Sequence, residues 1–116
     1  MDTLYYYDKD TLLATIKYDL ALQEVELLSY TTDIIRAPFG IAKEPTWKDF
    51  MHFLESRCVP RTRYNIKSIL ERWGLDVYDP LQLIRKTHGI QNSDSCWIRF
   101  EGEILDYAAI KELYSL

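Results

Sequence analysis

Three arginines lie within seven residues, where one helical pattern ends and the next begins. Arg57, Arg61 and Arg63 carry planar guanidinium groups, which bind carboxylates and phosphates through two parallel hydrogen bonds. A tight junction between helices could direct all three toward a partner. Alternatively, at least one of them could hold the fold together by pairing with Asp76, with Asp79 or with an acid of the N-terminal strands. The sequence leaves both interpretations open.

The nucleophilic and metal-binding side chains are few and widely spaced. Cys58 and Cys96 would need His52 or His88 beside them in space to act in nucleophilic catalysis. The chain has no paired cysteines or histidines at metal-ligand spacing, and its glycines form no phosphate-binding loop. We therefore expect no catalytic residues, no metal and no cofactor, and we expect both thiols to be reduced and buried.

Charge is distributed unevenly along the chain. Residues 56–88 carry 7 basic and 3 acidic residues, residues 1–55 carry 5 basic and 10 acidic residues, and the whole chain has a net charge of −4. This polarity suits a protein partner of complementary charge, whereas an acidic chain is a poor general nucleic-acid binder. The predicted partner-binding residues are the following charged side chains: Arg57, Arg61, Arg63, Lys67, Arg85, Lys86, Asp8, Asp10, Glu24 and Glu26.

Strand patterns occupy residues 1–30. Apolar and β-branched residues alternate over 11–18, which is typical of a half-buried strand. Similar segments at 4–7 and 24–30 complete a three-stranded antiparallel meander. The connection over 31–45 carries Ile34, Ile35 and Phe39, and we expect it to pack against the domain.

Helical patterns follow over 46–89. Thr46 and Asp49 predict a capping box at the start of the first helix. Thr62 is the expected cap of the second helix, whose apolar face includes Trp73 and which should end at Gly74. Asp79 followed by proline predicts the start of a third helix.

The last segment, 95–116, reads as a strand followed by a helix capped by Asp106. The fold class is therefore α+β: a three-stranded antiparallel meander followed by three helices, a further strand and a C-terminal helix. With 116 residues, the chain is expected to form a single domain. It has no apolar run long enough to span a membrane and begins without a signal-peptide pattern, so we expect a cytoplasmic location.

The run from Pro38 to Glu101 resembles small proteins carried on mobile elements of Firmicutes. The shared words are Pro38-Phe39-Gly40-Ile41, Phe53-Leu54-Glu55-Ser56-Arg57-Cys58, Pro60-Arg61-Thr62-Arg63, Tyr78-Asp79-Pro80, Arg85-Lys86-Thr87-His88-Gly89 and Trp97-Ile98-Arg99-Phe100-Glu101-Gly102. Residues 11–102 also resemble the N-terminal subdomain of HipA-type toxin kinases, although no kinase core follows here. This second resemblance implies a detached regulator.

The leading functional hypothesis is a non-enzymatic, protein-binding regulator or inhibitor encoded on a bacterial mobile element. One candidate partner is a Cas nuclease, which would make the chain an anti-CRISPR-type inhibitor whose acidic residues mimic DNA. The other is a HipA-type toxin kinase, which would make the chain an antitoxin-like subunit. A small DNA-binding transcriptional regulator, using the helices of residues 56–88, is the alternative of a different class.

Overall fold

A computed structural model describes residues 1–31, 33, 36–39 and 44–115. They form a four-stranded antiparallel sheet and four helices, which confirms the α+β class and the predicted order of elements. The strands and helices, in chain order, are β1 (Asp2–Asp8), β2 (Thr11–Asp19), β3 (Glu24–Ser29), α1 (Trp47–Ser56), α2 (Ile66–Arg72), α3 (Pro80–Thr87), β4 (Cys96–Phe100) and α4 (Tyr107–Leu113).

The sheet has the order β3-β2-β1-β4, so the last strand pairs with the first. Tyr6 lies opposite Ala14 on one side and opposite Ile98 on the other. An irregularity between Tyr6 and Tyr7 shifts the register of β1 against β2. Such a bulge changes which face the following side chains occupy. This explains why Leu13 and Ala14 are both buried although they are adjacent.

Helix α1 packs across one face of the sheet. Its Phe50 ring lies 5.3 Å from the ring of Tyr18, and its Phe53 ring contacts Tyr6 edge to face at 5.0 Å. Phe39 adds a third ring, 5.6 Å from Phe53. The predicted packing of the 31–45 connection is thus seen for Phe39, while Ile34 and Ile35 lie outside the described residues.

Local sequence signals determine most helix ends. The capping box of Thr46 and Asp49 is formed, and Asp79 and Asp106 cap α3 and α4 through their side chains. Gly74 follows α2 with a φ of 75° and ends that helix, as expected.

One predicted cap is wrong. Helix α2 begins at Ile66, after Asn65, and not after Thr62. Residues between Pro60 and Asn65 form turns instead, which are held by hydrogen bonds from the N–H of Arg63 to Pro60 and from the N–H of Ile66 to Arg63. Within the described ranges, no helix is long and apolar enough to cross a membrane.

Candidate protein-binding surface

Arg57 lies inside the protein, at the C-terminal end of α1, with only 5% of its surface exposed. Its Nε donates to the carbonyl oxygen of Gly89 at 3.0 Å, and one terminal nitrogen donates to Gln91 at 3.3 Å. The two terminal nitrogens also reach the two carboxylate oxygens of Asp94, at 2.7 and 3.1 Å. A last bond, of 2.9 Å, goes to the carbonyl oxygen of Cys96. All five N–H groups of this guanidinium are therefore occupied within the chain.

The fold-fixing interpretation thus applies to Arg57, but its partner carboxylate is Asp94, which the sequence analysis did not name. The burial of Asp94 alone would raise its pKa. Hydrogen bonds from Arg57 and from the N–H of Cys96 outweigh that effect and lower the pKa of Asp94 below its usual value. Since Gly89, Gln91, Asp94 and Cys96 together accept all five N–H groups of Arg57, this side chain has no donor left for a partner.

Arg61 and Arg63 lie outside, on the turns between α1 and α2. Arg61 forms an ion pair with Glu55 and places its guanidinium 4.8 Å from the centre of the Tyr78 ring. Within the described part of the chain, the side chain of Arg63 forms no ion pair or hydrogen bond. Arg63 therefore retains its full hydrogen-bonding capacity for a partner.

Two large aromatic side chains are exposed on the same segment. Tyr64, which follows Arg63, is 98% exposed, and Trp73, which follows α2, is 36% exposed. Lys67 is exposed between them on α2. We refer to the exposed basic and aromatic side chains of residues 61–73 as the junction surface, and its members are Arg61, Arg63, Tyr64, Lys67, Arg72 and Trp73. Thr62, Ser68 and Glu71 are also exposed on this segment.

The aromatic part of this surface was not predicted. The helical spacing of Ile66, Ile69, Leu70 and Trp73 indicated a core face, but only Leu70 is buried. Periodicity shows that side chains share a face, whereas it does not show whether another element covers that face. The run Arg63-Tyr64 was the available signal, because arginine and aromatic residues are enriched at contact surfaces.

Arg85 and Lys86 lie apart from the junction surface, on the last turn of α3. Arg85 donates to the Tyr18 hydroxyl at 3.1 Å and places its guanidinium 4.4 Å from the centre of the Phe100 ring. Lys86 is exposed, and its carbonyl accepts a hydrogen bond from the Tyr114 hydroxyl at 2.9 Å. Both side chains are thus exposed, but Arg85 also contacts Tyr18 and Phe100 of the sheet.

The four predicted acidic residues fall into two groups. Asp8 pairs with Arg36 at 2.8 Å, and Asp10 accepts a 2.9 Å hydrogen bond from the N–H of Tyr107 at the start of α4. Glu24 and Glu26 are exposed on β3. Two of the four acids are thus committed to internal contacts, and the other two lie along one edge of the sheet.

The thiols and imidazoles do not form a nucleophile–base pair in the described residues. The Cys58 sulfur lies 3.5 Å from the Tyr78 hydroxyl, and burial raises the pKa of its thiol more than this contact lowers it. The His88 ring contacts the Tyr114 hydroxyl at 2.5 Å and the Glu103 carboxylate at 2.8 Å. The described residues also contain no group of three or more His, Cys, Asp and Glu side chains that could hold a metal ion.

An open cleft of about 470 Å³ borders the junction surface. Its walls come from the end of α1 and from the segment after α3, and they include Val59, Arg63, Ile90 and Asn92. The lining is mixed, since Val59, Pro60 and Ile90 are apolar whereas Glu55, Gln91 and Asn92 are polar, and the guanidinium of Arg63 is the cation that a partner's carboxylate would meet there.

The chain matches no protein-family model, and neither a curated protein nor a solved structure matches it.

Proposed function

We propose that this protein is a non-enzymatic, protein-binding regulator or inhibitor that contacts its partner through the junction surface. The observation that carries the proposal is the exposure of Tyr64, 98%, beside Arg63, whose side chain binds nothing in the described part of the chain. Tyrosine, tryptophan and arginine are the residues that most often dominate binding energy at protein interfaces. An exposed group of all three types is therefore expected to be a contact site.

The positive charge of residues 61–73 indicates which kind of partner surface they would bind. Residues 61–73 carry 4 basic side chains and 1 acidic side chain, although the chain as a whole has a net charge of −4. A partner that presents carboxylates would be attracted locally, and complementary charge accelerates association. Two partner classes belong to this proposal: a Cas nuclease, in line with the resemblance to proteins of mobile elements, and a HipA-type toxin kinase, in line with the resemblance to the N-terminal subdomain of those kinases.

The test compares three immobilised proteins in a lysate of the organism that encodes the chain. They are the wild type, the triple variant Arg63→Ala, Tyr64→Ala and Lys67→Ala, and a control, Lys48→Ala with Lys111→Ala. The control removes exposed positive charge from α1 and α4, outside the junction surface. Mass spectrometry then identifies the retained proteins.

We expect one partner to be retained by the wild type and by the control, and to be reduced at least about tenfold with the triple variant. Purified partner and calorimetry would then give the dissociation constants. Equal retention by the triple variant, with its melting temperature unchanged, would contradict the proposal. Recovery of a nuclease or of a kinase would decide between the two partner classes.

A further inference from the structure

The two edges of the sheet differ in whether their outer backbone groups are hydrogen-bonded. At the β4 edge, the N–H of Ile98 donates to the carbonyl oxygen of His88 at 2.8 Å, and the carbonyl of Cys96 accepts from Arg57 at 2.9 Å. The fold therefore closes this edge with its own groups. At the β3 edge, no described residue pairs with the outer side of the strand.

The register shows which backbone groups of β3 point outward. The N–H of Tyr30 donates to the carbonyl of Leu13 at 2.8 Å. Hydrogen-bonded pairs alternate along an antiparallel ladder, so the residues paired with Thr15 and Lys17, which are Leu28 and Glu26, also bond inward. The N–H and C=O groups of Val25 and Leu27 therefore point away from β2, and nothing in the described ranges bonds to them.

The side chains beside these free groups alternate in character. Glu24 and Glu26 are exposed and lie on the face of the sheet opposite to Val25 and Leu27, which pack against the core. Leu28 continues the exposed face and is 58% exposed. An added strand would thus meet acids on one face.

The helix-facing side of the same edge offers space. An open cleft of about 340 Å³ lies between residues 23–26 and residues 45–47, and the half-buried Trp47 is part of its wall. A side chain of an added strand that pointed toward the helices would enter this cleft. Val25, Pro45 and the indole of Trp47 offer an apolar surface to that side chain, while Gln23 and Thr46 make the rest of the wall polar, and Glu24 and Glu26 border the cleft.

We propose that the β3 edge binds an extended segment of a partner protein, which adds to the sheet as a fifth strand and in which basic and apolar residues alternate. Its basic side chains lie opposite Glu24 and Glu26, and its apolar side chains face the cleft beside Trp47. Main-chain hydrogen bonds to Val25 and Leu27 supply affinity, while the alternation supplies specificity. This site is separate from the junction surface.

A second copy of the chain fits this edge less well. With a twofold axis at Glu26, the two Glu26 carboxylates would lie directly opposite each other, which is unfavourable. With the axis at Leu27, each Glu26 would face Leu28 and gain no cation. Each copy also carries a net charge of −4.

Amide hydrogen exchange, followed by nuclear magnetic resonance on the full chain, tests the site directly. In the free protein, the amides of Val25 and Leu27 should exchange fast, while those of Glu26 and Leu28 are protected by β2. The probe is a capped peptide of about eight residues in which lysine and valine alternate, a typical strand length. On its addition, the Val25 and Leu27 amides should become protected. The same peptide with glutamate in place of lysine should leave them exchanging fast.

Charge variants provide the control. Glu24→Lys with Glu26→Lys should weaken binding of the lysine peptide at least about tenfold and create binding of the glutamate peptide. Because Glu26 lies opposite Lys17, Glu24→Gln with Glu26→Gln serves as a milder variant that should also weaken the lysine peptide. The triple variant of the junction surface should bind the lysine peptide normally, so failure of one site is distinguishable from failure of the other.

Three results would overturn the inference. The first is that the Val25 and Leu27 amides remain unprotected at millimolar lysine peptide. The second is that, without peptide, the Val25 and Leu27 amides become protected as the protein concentration rises, which would assign the edge to a second copy. The third is equal binding of the two peptides, which would remove the role of Glu24 and Glu26.

Discussion

Arg57 and Asp94 form a two-point ion pair that ties the end of α1 to the start of β4, with N–O distances of 2.7 and 3.1 Å. The pair joins residues 37 positions apart in the chain. Because the guanidinium is buried, few other acceptors can replace Asp94. Loss of either residue therefore leaves unpaired polar groups behind.

Arg57→Ala should therefore destabilise the protein strongly. Removal of one partner of a buried ion pair typically costs about 3–5 kcal/mol. Because the Asp94 side chain is 36% exposed, solvent screens part of this pair and we expect a loss in the lower part of that range, although two backbone carbonyls also lose their donor. Arg57→Lys should rescue only part of this loss, because an ammonium group cannot make the two-point contact.

Urea unfolding, followed by fluorescence, measures the free energies of unfolding. Arg61→Ala is the matched control, since Arg61 is exposed, and its melting temperature should be nearly unchanged. An Arg57→Ala protein as stable as the control would contradict the role assigned to this pair.

The stability that the Arg57–Asp94 pair contributes should depend on pH, because Asp94 is titratable. Its pKa is lowered in the folded protein, because hydrogen bonds from Arg57 and from the backbone outweigh the effect of burial. A carboxyl group of this kind stabilises the fold fully above its unfolded-state pKa, about 3.9, and the contribution is lost as the pH falls through the lower folded value. The difference in unfolding free energy between the wild type and Asp94→Asn should be constant above about pH 5 and should shrink below about pH 4. A difference that grew toward acid pH would show that the pKa shift has the opposite sign.

Local signals explain which parts of the fold could be predicted. Three helices are capped by contacts between residues at most three positions apart. The capping residues are Thr46 with Asp49, Asp79 with Pro80 after it, and Asp106. The sequence itself holds both partners of such a contact at close range, and the capping geometry follows.

The remaining features depend on contacts between distant residues. The spacing of residues along the chain does not show that Arg57 pairs with Asp94, and it does not show that β4 pairs with β1. The exposure of Trp73 is a third example, since it depends on whether another element covers that end of α2. Sequence reasoning therefore located the arginine cluster, but it could not divide it into the buried Arg57 and the exposed Arg61 and Arg63.

The two cysteines should behave as reduced, weakly reactive thiols. Both cysteines are half-buried, and not fully buried as the sequence predicted. This burial raises the pKa of both Cys58 and Cys96, and contacts with tyrosine hydroxyls only partly offset that effect. Since the thiolate is the reactive form, alkylation by iodoacetamide at neutral pH should be slower in the folded protein than in the unfolded chain. Intact mass after air exposure should show two alkylatable thiols, and Cys58→Ser and Cys96→Ser should each lower stability modestly. A native disulfide between Cys58 and Cys96 would contradict this prediction.

Binding to DNA separates the protein-partner proposal from the transcriptional-regulator alternative. The junction surface is basic, but the chain has a net charge of −4, and the exposed Glu24 and Glu26 add to the repulsion of phosphates. Screening limits the reach of these charges to about 8 Å at physiological salt, so a short basic surface recruits only a few phosphates. We therefore expect no binding to generic duplex DNA tighter than about 10 μM at that salt, where dedicated binders show non-specific constants of about 1–100 μM. Fluorescence anisotropy with a labelled duplex, repeated across a salt series, measures this affinity. Sub-micromolar binding with a steep salt slope, lost in a variant with Arg63→Ala, Lys67→Ala and Arg85→Ala, would favour the DNA-binding alternative over regulation through a protein partner.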